Sequence, residues 1–155
     1  MIFIAGPRQV GKTTSSKAGA GEARYFSWDR QSDRLLITHG QNTVADSLQL
    51  SDMMEKPQVV IFDELHKYSK WKSFLKGFFD VYGDKCKILL TGSARLSVYK
   101  RGGDSLMGRY FLYRMHPLSV SEIQSQDVRE DEIKKPVYID KETIDQLLNY
   151  GGFPE

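Results

Sequence analysis

The chain has 155 residues, a length that suits a single domain with its own hydrophobic core. Its composition, 40% hydrophobic and 27% charged with a formal net charge of +2, is ordinary for a globular domain and indicates no partner by itself. No run of about 18 apolar residues occurs, which excludes a membrane-spanning helix, and the single cysteine, Cys86, excludes an internal disulfide and predicts a reducing, cytoplasmic location.

The first apolar segment, MIFIA at residues 1–5, predicts a β-strand and is too short for the hydrophobic region of a signal peptide. Four more β-type runs follow it, at residues 23–28, 58–62, 87–91 and 109–115. The third and fourth runs of the five lack alternation, which is typical of parallel strands buried on both faces. Between them, residues 71–82 predict an amphipathic helix whose aromatic side chains pack on the sheet. Strands alternating with helices predict right-handed crossovers and a three-layer α/β fold.

A glycine-containing loop, GPRQVGKTT, follows the first strand and matches the pattern G-x-x-x-x-G-K-[ST]. Backbone N–H groups at a helix N-terminus can hold a polyphosphate if no Cβ obstructs them, which explains the glycines. We expect Lys12 to reach the β- and γ-phosphates, Thr13 to coordinate Mg²⁺ and Thr14 to donate to the α-phosphate. A glycine turn used for packing alone is the alternative. The predicted nucleotide cradle comprises Gly6, Pro7, Arg8, Gln9, Val10, Gly11, Lys12, Thr13 and Thr14.

Two carboxylates, Asp63 and Glu64, end the third strand. Carboxylates at the carboxyl end of a buried parallel strand face the crevice where ligands bind. We expect Asp63 to hold Mg²⁺ through water, together with Thr13, and Glu64 to polarise an attacking water. The alternative is that both acids only begin the next helix.

The fourth strand ends in TGS, residues 91–93. A hydroxyl from Thr91 or Ser93 at this position could hydrogen-bond the γ-phosphate or the attacking water, although Thr-Gly-Ser is also common turn chemistry.

The charges are unevenly distributed along the chain. Residues 84–116 contain seven basic and two acidic side chains, whereas residues 121–155 contain nine acidic and four basic ones. Either these segments form solvated or mutually neutralising surfaces, or the basic stretch contacts polyphosphate or nucleic acid.

Several segments together resemble the prokaryotic AAA-type P-loop ATPases: GPRQVGKTT, IFDELHKY, LLTGSARL, GRYFLYRMHPLSVSEI and the closing GGFPE. The resemblance covers nearly the whole chain in the right order. It implies an additional-strand P-loop NTPase fold, with a parallel sheet of about five strands in the order 5-1-4-3-2. It also implies ATP and Mg²⁺ as cofactors.

The resemblance assigns Glu64 as the catalytic base and Ser93 as the polar sensor. It makes Arg109 a candidate arginine finger, acting in cis or from a neighbouring subunit of a homo-oligomer, with Arg95 as the competing choice. Arg109 could instead simply cap a strand. The implied division is a P-loop ATPase core at residues 1–125, followed at residues 126–155 by a linker and the start of a helical lid that is truncated here.

The chain differs from similar proteins in three respects. Such proteins usually have a helical segment before the first strand and continue well beyond GGFPE, so we expect low turnover and uncertain base specificity from this chain alone. The helix after the glycine loop contains Gly19 and Gly21, which predicts a short or frayed helix. Farther along, Asp140 is expected to cap an amphipathic helix.

Two functions from different classes follow. In the first, the chain is an ATPase, a hydrolase whose turnover changes the position of a protein partner or of a missing region. In the second, it is a nucleotide-binding interaction module with little hydrolysis that contacts nucleic acid. A small-molecule kinase is a weaker third choice, because no helical insertion clearly provides an arginine-rich lid.

Overall fold

The structure is a computed structural model and describes residues 1–50, 56–93, 106–124 and 138–154. Helices separate most of the strands along it, as the sequence predicts. In chain order the elements are β1 (Ile2–Gly6), α1 (Lys12–Gly19), β2 (Ala23–Ser27), α2 (Gln31–His39), α3 (Gln41–Leu48), β3 (Gln58–Asp63), a 3₁₀ turn (Leu65–Lys67), α4 (Trp71–Tyr82), β4 (Cys86–Ser93), β5 (Phe111–Arg114), α5 (Val120–Gln124) and α6 (Lys141–Tyr150). No helix of these described ranges is both long and apolar enough to cross a bilayer.

The five strands form one parallel sheet in the order β2-β3-β4-β1-β5. Read from the other edge, this is 5-1-4-3-2, so the predicted α/β P-loop fold is confirmed. From β1 the chain crosses the sheet to β2 at one edge. It then returns across the sheet in the opposite direction, through β3 and β4 to β5 at the other edge. Right-handed crossovers therefore place α1 on one face of the sheet and α2, α3 and α4 on the opposite face.

The register of the central strands positions the functional loops. Gly6 of β1 pairs with Ser93 of β4, and Asp63 of β3 pairs with Thr91 of β4. Because all three strands are parallel, the glycine loop, the acidic pair and the TGS segment leave the same edge of the sheet.

The core lies between the sheet and α4. Phe62 of β3 is fully buried, and its ring meets Phe74 and Phe78 of α4 edge-on with centroids 5.8 Å apart in both pairs. The predicted amphipathic helix is therefore confirmed, with its aromatic face on the sheet. Burial of these rings drives the packing of α4, since a buried Phe contributes about 1.5–3 kcal/mol relative to an exposed one.

The helices that flank the core match two further predictions. Helix α1 is short, with eight residues. Asp140 caps α6, because its carboxylate accepts hydrogen bonds from the Thr143 backbone N–H at 2.8 Å and from the Thr143 hydroxyl at 2.7 Å. A domain boundary near residue 125 stays a prediction, because residues 125–137 lie outside the described residues.

Strand β5 covers 111–114 rather than the predicted 109–115, because its ladder with β1 runs from the Ile2–Phe111 pair to the Ala5–Arg114 pair. Immediately after it, the Met115 N–H donates to the Ala5 carbonyl at 2.8 Å, which brings the Met115 backbone against Gly6. A Cβ on Gly6 would overlap the Met115 carbonyl oxygen. The first glycine of the loop is therefore required by packing.

Substitution of Gly6 by alanine is expected to destabilise the protein by about 1–3 kcal/mol, because backbone atoms must move to admit the methyl group. The matched control is Gly19→Ala in α1, where an added Cβ meets nothing within 4 Å. Alanine there is expected to raise stability by about 0.5–1 kcal/mol. Urea denaturation of both variants checks the prediction, and equal effects at the two glycines would contradict it.

Candidate functional site

The glycine loop connects β1 to α1 through two left-handed residues. Gly11, at the N-cap of α1, has φ 88°, which glycine adopts without strain. Gln9 has φ 64° and carries a side chain, so it holds a conformation that costs of order 1 kcal/mol or more. Backbone strain of this kind persists where the surrounding structure imposes it, and it is concentrated at ligand sites.

Lys12 lies within this loop and is almost fully buried. Its ammonium donates hydrogen bonds to the Gly6 carbonyl at 3.1 Å and to the Pro7 carbonyl. Burial lowers the pKa of Lys12, while the nearby carboxylates of Glu64 and Asp63 partly oppose the shift. A desolvated cation beside backbone donors provides strong local attraction for an anion.

Asp63 accepts hydrogen bonds from three hydroxyl groups. Thr13 lies 3.4 Å from Oδ1, Thr91 also donates to Oδ1, and Tyr25 donates to Oδ2 at 2.5 Å. Thr91 is fully buried and points at Asp63, so its hydroxyl orients this carboxylate. The sequence led us to expect Thr13 and Asp63 together, with Thr91 directed at the γ-phosphate or the attacking water, but it gave no signal for Tyr25, which belongs to no motif.

Glu64 follows with φ 55°, and its N–H donates to the Thr91 carbonyl at 3.0 Å. This left-handed turn ends β3 and directs the chain into the 3₁₀ turn. The Glu64 carboxylate lies 3.4 Å from the Lys67 ammonium, and Lys67 in turn donates to both oxygens of Asp29 at 2.7–2.8 Å. Glu64 is therefore held by a surface ion network beside the loop.

Ser93 and His66 meet at the same edge. The Ser93 hydroxyl lies 3.2 Å from His66 Nε2, which is also 3.8 Å from Glu64. His66 Nδ1 is buried and has no hydrogen-bond partner within the part of the chain that the structure describes. Burial lowers the pKa of His66, and the Glu64 carboxylate only partly opposes this. The predicted sensor thus contacts the acidic pair through a histidine that sequence reasoning did not assign.

The glycine loop, Asp63 and Glu64 border one cavity of about 690 Å³. Its polar side contains the glycine loop, Asp63 and Glu64, and its apolar side contains Met115, Leu118 and Pro154. The lining residues are Arg8, Gln9, Val10, Gly11, Lys12, Thr13, Thr14, Ser15, Asp63, Glu64, Met115, Leu118 and Pro154. A cavity that is polar on one side and apolar on the other suits a ligand with a charged group at one end and an apolar ring at the other.

The apolar wall is built by two segments that are far apart in sequence. The Leu118 N–H donates to the Gly152 carbonyl at 2.6 Å, and a Cβ on Gly152 would overlap the Leu118 backbone. This contact brings Pro154 close to Gly11, and Met115 lies beside the same glycine. Residues 116–119 (HPLS) and 151–154 (GGFP) therefore lie next to each other beside the glycine loop.

Arg109 lies at the opposite end of the sheet. It precedes β5, its carbonyl accepts a bond from the Met1 amino group at 2.9 Å, and its Nε donates to Asp80 at 2.9 Å. The cavity lies at the other end of β1, a distance of about 17 Å for a five-residue strand. An arginine side chain does not span that distance, so the described residues lend no support to the in-cis role considered for Arg109, which stays a prediction. Action in trans stays a prediction, and Arg95 lies outside the described residues.

The residues present fit Mg²⁺. The Thr13 hydroxyl and the Asp63 carboxylate are hard oxygen donors at the edge of the cavity, 3.4 Å apart. The described ranges contain no group of three or more His, Cys, Asp or Glu side chains that could enclose a metal ion. Mg²⁺ usually takes one or two protein ligands and completes its shell with phosphates and water, and this sparse donor set suits that mode.

A family model described as "AAA domain" matches residues 1–124. The chain belongs to this AAA family. It is accordingly an ATP-binding protein of the AAA type, which confirms the resemblance read from the motifs. Among solved structures it is similar to PCH-2 of C. elegans, with a TM-score of 0.51 and 17% identity over 76% of this chain. At that identity the likeness shows the fold alone, and the chain spans 35% of the length of that structure. No curated protein matches the chain in sequence.

The lowered pKa of His66 predicts a pH-dependent loss of stability. Below the ordinary histidine pKa of 6.5 the unfolded chain binds a proton that the folded chain still excludes. Stability should therefore fall as the pH decreases from 6.5 through the lower folded pKa. Thermal unfolding between about pH 7.5 and 5 should show a steeper loss for wild type than for His66→Gln. Parallel curves for the two proteins would exclude His66 as the source.

Proposed function

We propose that this AAA domain hydrolyses ATP to ADP and phosphate in the presence of Mg²⁺, and that the reaction drives a conformational change. The observation that carries the proposal is the meeting of Lys12, Thr13, Asp63 and Glu64 around one cavity at the end of a glycine loop. A cation, a hydroxyl, a carboxylate beside that hydroxyl and a second carboxylate are the parts that phosphoryl transfer requires.

The loop and Lys12 bind the phosphates in this proposal. The N-terminus of α1 and the loop amides hold an anion without water, and the Lys12 ammonium neutralises the terminal phosphates. The two carbonyls that Lys12 now contacts, those of Gly6 and Pro7, lie in the loop itself. The ammonium therefore needs to move only within the loop to reach a phosphate.

Thr13 and Asp63 would hold Mg²⁺, which supplies charge neutralisation between the phosphates when it is bound. Glu64 is the proposed general base, because it lies next to Asp63 and lines the same cavity. Its carboxylate contacts Lys67 and His66. These contacts must loosen before the carboxylate can orient a water molecule. Ser93 is proposed to act through His66 on Glu64, as the 3.2 Å contact suggests.

The apolar wall of Met115, Leu118 and Pro154 is the proposed boundary for the base and ribose. Turnover by this chain alone is expected to be slow. An arginine finger contributes about 10³–10⁵ in rate, and Arg109 lies at the far end of the sheet. If Arg109 is the finger, we propose that it acts from another subunit of a homo-oligomer, with Arg95 as the competing choice.

Replacement of Lys12 by alanine is expected to weaken ATP binding by about 10- to 100-fold, because one charge-assisted hydrogen bond to phosphate contributes about 1.5–3 kcal/mol. Isothermal titration calorimetry with Mg²⁺ present measures this. The control is Lys87→Ala, which removes an exposed lysine from β4 outside the cavity. An equal loss in both variants would show a general charge effect and contradict the assignment of Lys12.

Glu64→Gln is expected to leave ATP affinity within about twofold of wild type and to lower the hydrolysis rate by about 10²–10⁴, since the amide cannot accept the proton of the attacking water. The matched control is Glu22→Gln at an exposed position. Phosphate release under single-turnover conditions measures the rate. An unchanged rate in Glu64→Gln would remove this residue as the base.

The nucleic-acid alternative gains no support from the described residues. Of its basic stretch, Arg95, Lys100 and Arg101 lie outside them, and Arg109 is engaged by Asp80. Nucleic-acid and protein partners therefore stay predictions.

A further inference from the structure

Tyr25 contacts the acidic site from a strand that carries none of the motifs. Its side chain lies on β2, where Tyr25 pairs in register with Ile61 and Ser27 pairs with Asp63. The phenol therefore extends along the sheet toward the carboxyl edge, and its hydroxyl reaches Asp63 Oδ2 at 2.5 Å. This is a short hydrogen bond to a charged acceptor, a class about twice as strong as a bond between neutral groups.

The ring of Tyr25 is itself held in place. The Lys17 ammonium lies 4.0 Å from its centroid, and Lys17 is four residues after Thr13 on α1. A cation over the ring face attracts the π-system and restricts its tilt. The hydrogen bond from the hydroxyl to Asp63 fixes the other end of the side chain.

The two oxygens of Asp63 have different partners. Oδ1 faces the Thr13 hydroxyl, which lines the cavity, and Thr91 approaches the same oxygen. Oδ2 is bound by Tyr25, which is not among the residues that line the cavity. Tyr25 therefore acts on the site through Asp63 rather than by touching a ligand.

We propose that Tyr25 is a positioning residue for the Mg²⁺ site: by holding Asp63 Oδ2, it turns Oδ1 toward Thr13, where the metal is expected. This inference rests on the proposed function. Partners that orient a metal-binding carboxylate typically change metal affinity by about 10- to 100-fold when removed. Because Asp63 is expected to act through water, the lower end of that range applies.

The test is Tyr25→Phe, which removes the hydroxyl and keeps the ring under Lys17. ATP binding is measured by calorimetry in EDTA and across a Mg²⁺ series. In EDTA we expect the variant to bind ATP with the same affinity as wild type. The Mg²⁺ concentration that gives half of the maximal increase in ATP affinity should rise about 10-fold. The control is Tyr82→Phe, which removes a hydroxyl that donates to Asn42 at 3.0 Å, and its Mg²⁺ dependence should equal that of wild type.

The outcomes separate the two proposals. If wild type binds no ATP, or binds it equally with and without Mg²⁺, the proposed function is overturned and this inference with it. If wild type shows Mg²⁺-dependent binding and Tyr25→Phe shows the same or a lower Mg²⁺ requirement, only the role of Tyr25 is overturned. An equal loss of affinity with and without Mg²⁺ also overturns it, because that pattern indicates a structural effect.

Discussion

The site depends on the parallel register of three strands. Pairing of β1 with β4, and of β4 with β3, ends all of them at one edge, with Gly6 opposite Ser93 and Asp63 opposite Thr91. Residues from three separate parts of the sequence thereby meet, and long-range hydrogen bonds such as those from Thr13 and Thr91 to Asp63 form between them. The hydrophobic core supplies the energy, since Phe62 and its neighbours fix β3 against α4 next to the acidic pair.

Around this edge the acidic pair divides into two environments. Asp63 is surrounded by neutral hydroxyl donors from β2, α1 and β4, whereas Glu64 faces the Lys67 ammonium and the His66 imidazole. Adjacent carboxylates in one chain are thereby suited to different tasks. Hydroxyl donors leave the charge of the first available for a cation, and the ion network controls the direction of the second.

Most of the fold and part of the site could be predicted from sequence, for identifiable reasons. Unbroken apolar runs indicated the strands. The glycine loop after the first run contributed to the family resemblance, and that resemblance gave the strand order. Tyr25 and His66 were not assigned, because their contacts depend on the register of β2 with β3 and on the left-handed turn at Glu64. Arg109 was proposed from a motif, and its place at the amino end of β5 follows only from the topology.

The contact between Leu118 and Gly152 has a consequence for the two ends of the cavity. The phosphate end of the cavity is formed by the glycine loop and the acidic pair at the edge of the sheet, whereas the apolar wall depends on a backbone bond between two segments outside the sheet. The proposed phosphate contacts and the proposed base contacts therefore depend on different parts of the fold. A change that breaks the Leu118–Gly152 bond would alter the apolar wall and leave the strand pairing of the sheet intact.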